Sequence, residues 1–231
     1  MKRNNNLILL ANSHITIIAL KAVNCYLLKG KKEYILIDSG LPKNRAEVEE
    51  QILKAGCKVG DLKLILLTHG DYDHAGNCLY LKNFFNSKIA MHEKDLGMVE
   101  QGDFTWNRDV SPLLKFFGKI MVTLFGLKLK KKDRFKPDIL LKEGQSLIEY
   151  GVDLKKIYIP GHSKGSLGYL TTEGNLFCGD IFTNEKVPTK NKLIVDENAY
   201  KNSYNKLKSF DIKMVYPGHG KPFLFEKLAS S

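Results

Sequence analysis

The sequence predicts an α/β (α+β) fold in which short strands deliver metal-type ligands to the loops that follow them. Three observations predict it. Short apolar or β-branched runs recur along the chain, helical periodicity appears between some of them, and histidine or aspartate follows four of the runs, after Gly or Pro-Gly in three cases. With 231 residues, 43% of them hydrophobic, the chain can bury a sizeable core, and one domain spanning 1–231 is expected.

The opening is antiparallel. Residues 15–18 (ITII) and 23–28 (VNCYLL) read as strands, Gly30-Lys31-Lys32 as a turn, and 34–37 as the returning strand. It ends at Asp38, either a carboxylate that orients a ligand or loop, or a turn aspartate bonding local amides. A helix is expected over 42–55: Val48, Ile52 and Ala55 share a face, Pro42 stands at its start and Gly56 after its end. The run 62–67 is short, apolar and cut off by a polar turn, which predicts a buried strand. Just past it stand His69, Asp71, Asp73 and His74. A helix over 75–86 should begin its first turn after His74, and 88–91 should be a strand ending at His92. His92 is weighed between a substrate contact and an ordinary strand-end histidine.

Residues 95–136 break this rhythm. Ser111-Pro112 offers an N-cap and first-turn proline, and Leu113, Phe117, Ile120, Leu124 and Leu127 share one face, which predicts an amphipathic helix over 111–131. Its lysines and glycines rule out a membrane span. A lid and apolar pocket wall, with a homodimer face as a further use, is the favoured reading; a membrane-surface helix and plain core are the alternatives. From Pro137 the rhythm resumes. Strands are expected over 139–141, 145–148, 153–159, 169–171, 176–178 and 212–216, with a helix over 196–209.

Composition narrows the function classes. The net charge of +11 is uneven: residues 128–136 (KLKKKDRFK) hold six basic residues and one acidic, a local +5. Such a run is usually a solvated surface, but an anionic substrate, an anionic membrane and nucleic acid stay open as partners, nucleic acid not favoured. The N-terminal apolar run is too short for a signal peptide, and a cytoplasmic location is expected. Cys25, Cys57, Cys78 and Cys178 show no CxxC spacing and read as reduced, buried thiols; Cys178 is also weighed as a ligand because a strand points it to the side of Asp180.

The strand-then-ligand arrangement recurs in KKIYIPGH for His162, NLFCGD for Asp180 and KMVYPGHG for His219. Imidazoles and carboxylates at the ends of rigid strands can converge on zinc, iron or manganese. In order, THGDYDH (68–74), PGH (160–162), CGD (178–180) and PGHG (217–220) resemble the metallo-β-lactamase superfamily, whose commonest pattern reads T-H-x-H-x-D-H, P-G-H, G-D and G-H. Asp38-Ser39-Gly40 matches its I-D-x-G element, and Asp71 departs from it, standing where the second histidine would be.

The resemblance implies a four-layer αβ/βα sandwich and a two-metal centre. By it, His69, Asp71 and His162 hold one divalent ion, Asp73, His74 and His219 the second, and Asp180 bridges. Zinc is the first expectation, with Asp71 shifting the site toward iron or manganese. Asp73 and Asp180 are the expected catalytic residues, Asp73 holding or shuttling the proton of a metal-bridging hydroxide. The implied activity is hydrolysis of a small intracellular ester, thioester, lactone or related molecule. Phosphodiester cleavage, a di-iron redox role needing a flavin partner and a non-catalytic metal-binding module are the alternatives. The helical substrate domain of glyoxalase II would not fit in the twelve residues after His219.

Overall fold

The computed structural model describes residues 15–103, 105, 106, 108, 113, 116, 117, 120, 128–141, 147, 150 and 153–228. The expected strand over 145–148 and most of the expected helix over 111–131 lie outside them. Two sheets face each other. The first holds β1 (Ile15–Ala19), β2 (Asn24–Lys29), β3 (Tyr34–Ile37), β4 (Leu62–Leu66), β5 (Lys88–Met91) and β6 (Ile139–Leu140) in sequence order, antiparallel through β3 and parallel from there. The second holds β7 (Leu154–Tyr158), β8 (Leu167–Thr171), β9 (Asn175–Gly179), β12 (Met214–Pro217) and β13 (Phe223–Leu224), in the order β13-β12-β9-β8-β7. A two-stranded ribbon, β10 (Phe182–Thr183) and β11 (Thr189–Lys190), leaves the end of β9.

Strand alternation sorts the side chains into layers. In β3, Ile35 and Ile37 face the second sheet, meeting Tyr169, Phe177 and Tyr216 in the central core. Leu36 faces outward and packs with Val48 and Ile52 of α1 (Arg45–Lys54) and Leu81 and Phe85 of α3 (Cys78–Phe85). On the far side, Ile157, Leu176, Cys178 and Val215 pack under Tyr200 and Leu207 of α5 (Glu197–Leu207). Helix, sheet, sheet and helix make four layers. Cys178 is therefore a core residue under a helix, and all four cysteines are free and buried.

The expected helix over 75–86 is two helices. A short turn, α2 (Tyr72–Ala75), already contains His74, and α3 starts afresh at Cys78. The β3–α1 loop makes the break: Asn77 donates through Nδ2 to the Ser39 and Leu41 carbonyls, 2.8 Å each, and Ser39 Oγ takes the Asn77 amide and donates to the His74 carbonyl. These bonds satisfy backbone groups that a continuous helix would have used itself. Within residues 95–136, where the alternating rhythm breaks, lies α4 (Leu96–Glu100). Within the basic run, Leu129 and Phe135 are buried in the first outer core and Asp133 pairs with Arg45 of α1 at 2.7 Å, which anchors part of that run over the first helical layer. Leu113, Phe116, Phe117 and Ile120 are helical and exposed. No helix among the described residues is long and apolar enough to cross a membrane.

Topology brings the ligand loops to one edge. β12 runs parallel to β9, and β7 lies two antiparallel steps from β9, so all three point the same way. The loops carrying His162, Asp180 and His219 leave their C-terminal ends, where open α/β sheets place ligands.

Candidate metal centre

The site is built outward from Asp38, at the end of β3. Its φ of 58° is unusual for a non-glycine residue, and aspartate is among the few that tolerate it. Its carboxylate accepts from the Thr68 amide (2.9 Å), the Thr68 hydroxyl (2.8 Å) and His74 Nδ1 (2.8 Å). Because Thr68 spends its proton on Asp38, its oxygen is left to accept from His69 Nδ1, at 3.0 Å. His162 Nδ1 lies 3.0 Å from the Leu193 carbonyl and His219 Nδ1 2.6 Å from the Ala22 carbonyl. All four Nδ1 atoms face acceptors, so each imidazole turns the Nε2 lone pair inward.

The inward atoms meet three carboxylates. Asp71 Oδ2 lies 3.3 Å from His69 Nε2 and 3.0 Å from His162 Nε2. Asp180 reaches His74 Nε2 with Oδ1 (3.3 Å) and His219 Nε2 with Oδ2 (3.1 Å), and its Oδ2 is 3.9 Å from His162 Nε2. Asp73 Oδ2 is 3.5 Å from His219 Nε2. Three donor groups result, His69-Asp71-His162, Asp73-His74-His219 and His69-His74-Asp180, each with its ligand atoms within 4.8 Å of one another. All seven residues singled out in the sequence are thus brought together, with Asp180 between the two halves.

The chemistry of this donor set fits cations. His69 Nε2, His74 Nε2, Asp71 Oδ1 and Asp180 Oδ1 are buried without a hydrogen-bond partner among the described residues. Lone pairs facing carboxylate oxygens in a dry site repel unless positive charge stands between them. Protonation reflects the same demand. Burial works against a charged His74, yet Asp180, Asp38 and Asp73 outweigh it and hold its pKa well above the usual range; the Asp180 carboxylate likewise lifts His219 to about 9 against its burial. Burial would raise Asp180, but His74 and His219 hold it well below the usual carboxylate range.

Close backbone approach makes the room. Gly179 has φ of 52°, and a Cβ there would press on Thr68 Oγ1 at 2.6 Å; a Cβ on Gly218 would strike Asp180 and come within 2.6 Å of His74 Cε1. The PGHG loop is pinned from the other sheet, since Asn24 donates to the Pro217 and Gly220 carbonyls and Tyr26 to Pro217.

Two residues of the site carry no sequence signal. Asp95, fully buried, accepts from the Gly70 amide (3.1 Å), Ser163 Oγ (2.7 Å) and the Gly165 amide (2.8 Å), tying the His69 loop to the His162 loop. Arg108 Nη2 lies 2.5 Å from Asp71 Oδ2 and 3.2 Å from His162 Nε2. Burial disfavours its charge, but Asp71, then Asp95 and Asp180, outweigh that. Asp71 in turn is held well below the ordinary range, burial being outweighed by Arg108 and by the His162 and His69 imidazoles that face its carboxylate. His92 stays outside the cluster: its ring stacks on Tyr158 at 4.9 Å and its Nδ1 accepts from the Lys94 amide.

A cavity of about 520 Å³ opens beside Asp180 and His219, walled by the ribbon and the loop after it. Lys186, Val187, Lys192 and Leu193 line it, so its wall mixes cationic and apolar side chains, and Val187 and Leu193 are exposed.

Comparison with known proteins agrees with the geometry. The family model of the metallo-beta-lactamase superfamily matches residues 19–219. "Probable metallo-hydrolase MJ0888" of Methanocaldococcus jannaschii is 29% identical over 201 residues, 85% of this chain and 87% of that one. "Hydroxyacylglutathione hydrolase GloC" of Haemophilus influenzae is 30% identical over 162 residues, 68% of this chain; the match spans 66% of GloC, a little under two thirds of its length. Among solved structures, TTHA1623 in a di-iron-bound form superimposes with a TM-score of 0.67 at 24% identity, covering 91% of this chain and 93% of that one.

Proposed function

The chain belongs to the metallo-β-lactamase superfamily, and on that premise we propose that it hydrolyses a small ester-type substrate, thioesters first, with two divalent metal ions. The observation that carries this reading is the inward turn of four Nε2 atoms, each ring tethered through Nδ1, onto three carboxylates beside an open cavity. His69, Asp71 and His162 would hold one ion, Asp73, His74 and His219 the other, with Asp180 shared. Zinc suits this nitrogen and oxygen set, and iron or manganese suits its three carboxylates. Bound metals supply a water acidic enough to attack at neutral pH and polarise the scissile carbonyl.

The chain's own groups do the rest. Asp180, 5% exposed, keeps the two halves of the centre in register. Asp73, one-fifth exposed, stands on the solvent side, where its Oδ2 can hold or pass on the proton of the attacking water. Lys186 and Lys192 can meet an anionic group of the substrate while Val187 and Leu193 cover an apolar portion. The match to GloC supports a glutathione-type thioester.

The test is a substrate panel on protein loaded with zinc, iron or manganese: acyl-glutathione and other thioesters, lactones, simple esters and a bis-phosphodiester. Thioester turnover that disappears on chelation and returns with metal is expected. Turnover of the phosphodiester alone would replace the reading with the nuclease alternative, and Asp180→Asn, retaining its fold, should lose most turnover.

A further inference from the structure

We propose that Arg108 is a built-in counter-cation of the first metal subsite, forming with Asp71 a charge-neutral unit that makes this subsite the weaker of the two and the last to fill. The proposal rests on the ligand reading above.

The pattern common in this superfamily places a neutral histidine where this chain has Asp71. That substitution takes the carboxylates of the cluster from two to three, Asp71, Asp73 and Asp180. With two divalent ions the donor set would then sum to +1 instead of +2, a weaker pull on the electrons of a substrate carbonyl. Arg108 restores the sum to +2, since its guanidinium cannot be deprotonated in a protein. It does so locally, at 2.5 Å from Asp71 Oδ2, with both side chains largely buried.

The contacts decide which subsite is affected. Arg108 Nη2 donates to Asp71 and, at 3.2 Å, toward His162 Nε2. With Nδ1 facing the Leu193 carbonyl, His162 Nε2 lies 3.2 Å from Arg108 Nη2 and 3.0 Å from Asp71 Oδ2, so the guanidinium stands against the two ligand atoms a metal would need. The arginine and a cation thus compete for the same two residues. Among the described residues no arginine or lysine contacts Asp73, His74 or His219 in this way. A unit charge beside a divalent ion in a site screened from water opposes loading, and among the described residues it is the His69-Asp71-His162 group that the guanidinium touches.

Titration of metal-free protein with Zn²⁺, read by calorimetry and by elemental analysis after buffer exchange, tests this without any substrate. Wild type should show one tight and one weak site, separated at least tenfold. Arg108→Gln, which removes the charge, should tighten the weak site at least tenfold and leave the tight one within about twofold. Arg108→Lys, which keeps it, should retain the wild-type separation. Asp71→His alone should lose the weak site, because it leaves a buried arginine facing imidazoles, and Asp71→His with Arg108→Gln should recover two sites. Weaker metal binding in Arg108→Gln, or equal affinities unaffected by it, would overturn the proposal while leaving the ligand assignment standing. Failure of wild type to bind any zinc tightly would instead overturn the ligand assignment.

Discussion

At the scale of single residues, the proposed centre depends on groups that touch the ligand candidates. Asp38 receives three hydrogen bonds, two of them from Thr68 and one from His74. Removing such a partner leaves buried donors unsatisfied at about 1–3 kcal/mol and typically weakens metal binding about 10–100-fold. Asp38→Ala should show both effects, in a denaturation curve and a metal titration. Asp38→Asn, which tolerates the positive φ and can keep one acceptor, should recover part of the stability. The thiols give a second residue-scale prediction. Burial pushes Cys57 up to about 12 and raises Cys25, Cys78 and Cys178 as well, and thiolate is the reactive form. The native protein should therefore release almost no colour with a disulfide reagent at pH 8, and denaturant should expose four thiols. Fast reaction of one thiol in the native state would contradict the core placement.

Elements set where those residues stand. Helix α5 starts at Asp196, whose Oδ1 accepts from the Ala199 amide at 2.9 Å, and the backbone amides of Val195 and Asp196 donate to the Gly161 carbonyl beside His162. Asp196→Ala should cost about 1 kcal/mol in a urea titration, as loss of an N-cap does. Metal content should stay unchanged, because the cap bond touches neither His162 nor its Leu193 acceptor. Element boundaries were legible in the sequence wherever a local pattern marked them. Proline and glycine bracket α1, and a continuous apolar run marks β4. The split between α2 and α3 was not, since Ser39 and Asn77, which make it, lie 38 residues apart.

For the whole molecule, the metal ions would be part of the fold. Seven ligand candidates stand at the meeting edge of two sheets, and four of them, His69, Asp71, His74 and Asp180, hold buried polar atoms that cations would satisfy. Each ion present at about a thousand times its dissociation constant would add about 4 kcal/mol, which for a chain of this size raises Tm by about 8–16 °C. Chelation followed by dialysis should lower Tm by that order, and adding back zinc or manganese should restore it. A Tm indifferent to chelation, with no metal in the starting protein, would count against the centre.

By itself, the sequence determined the types of the ligand candidates, their order and their positions after strands, because each is local: an apolar run, a glycine turn, a histidine or aspartate. Four of its six histidines lie in these loops, and together with the carboxylates they carried the family resemblance. Tertiary structure alone decided which polar residues outside the motifs serve the site. Asp95 reaches Gly165 across 70 residues and Arg108 reaches Asp71 across 37, and no periodicity or spacing encodes a contact between chain segments that meet only after the sheets have packed. The same holds for the cavity, whose wall is a ribbon too short to show alternation. A strand announces its buried face through its own neighbours, whereas an ion pair between distant segments exists only in the folded chain.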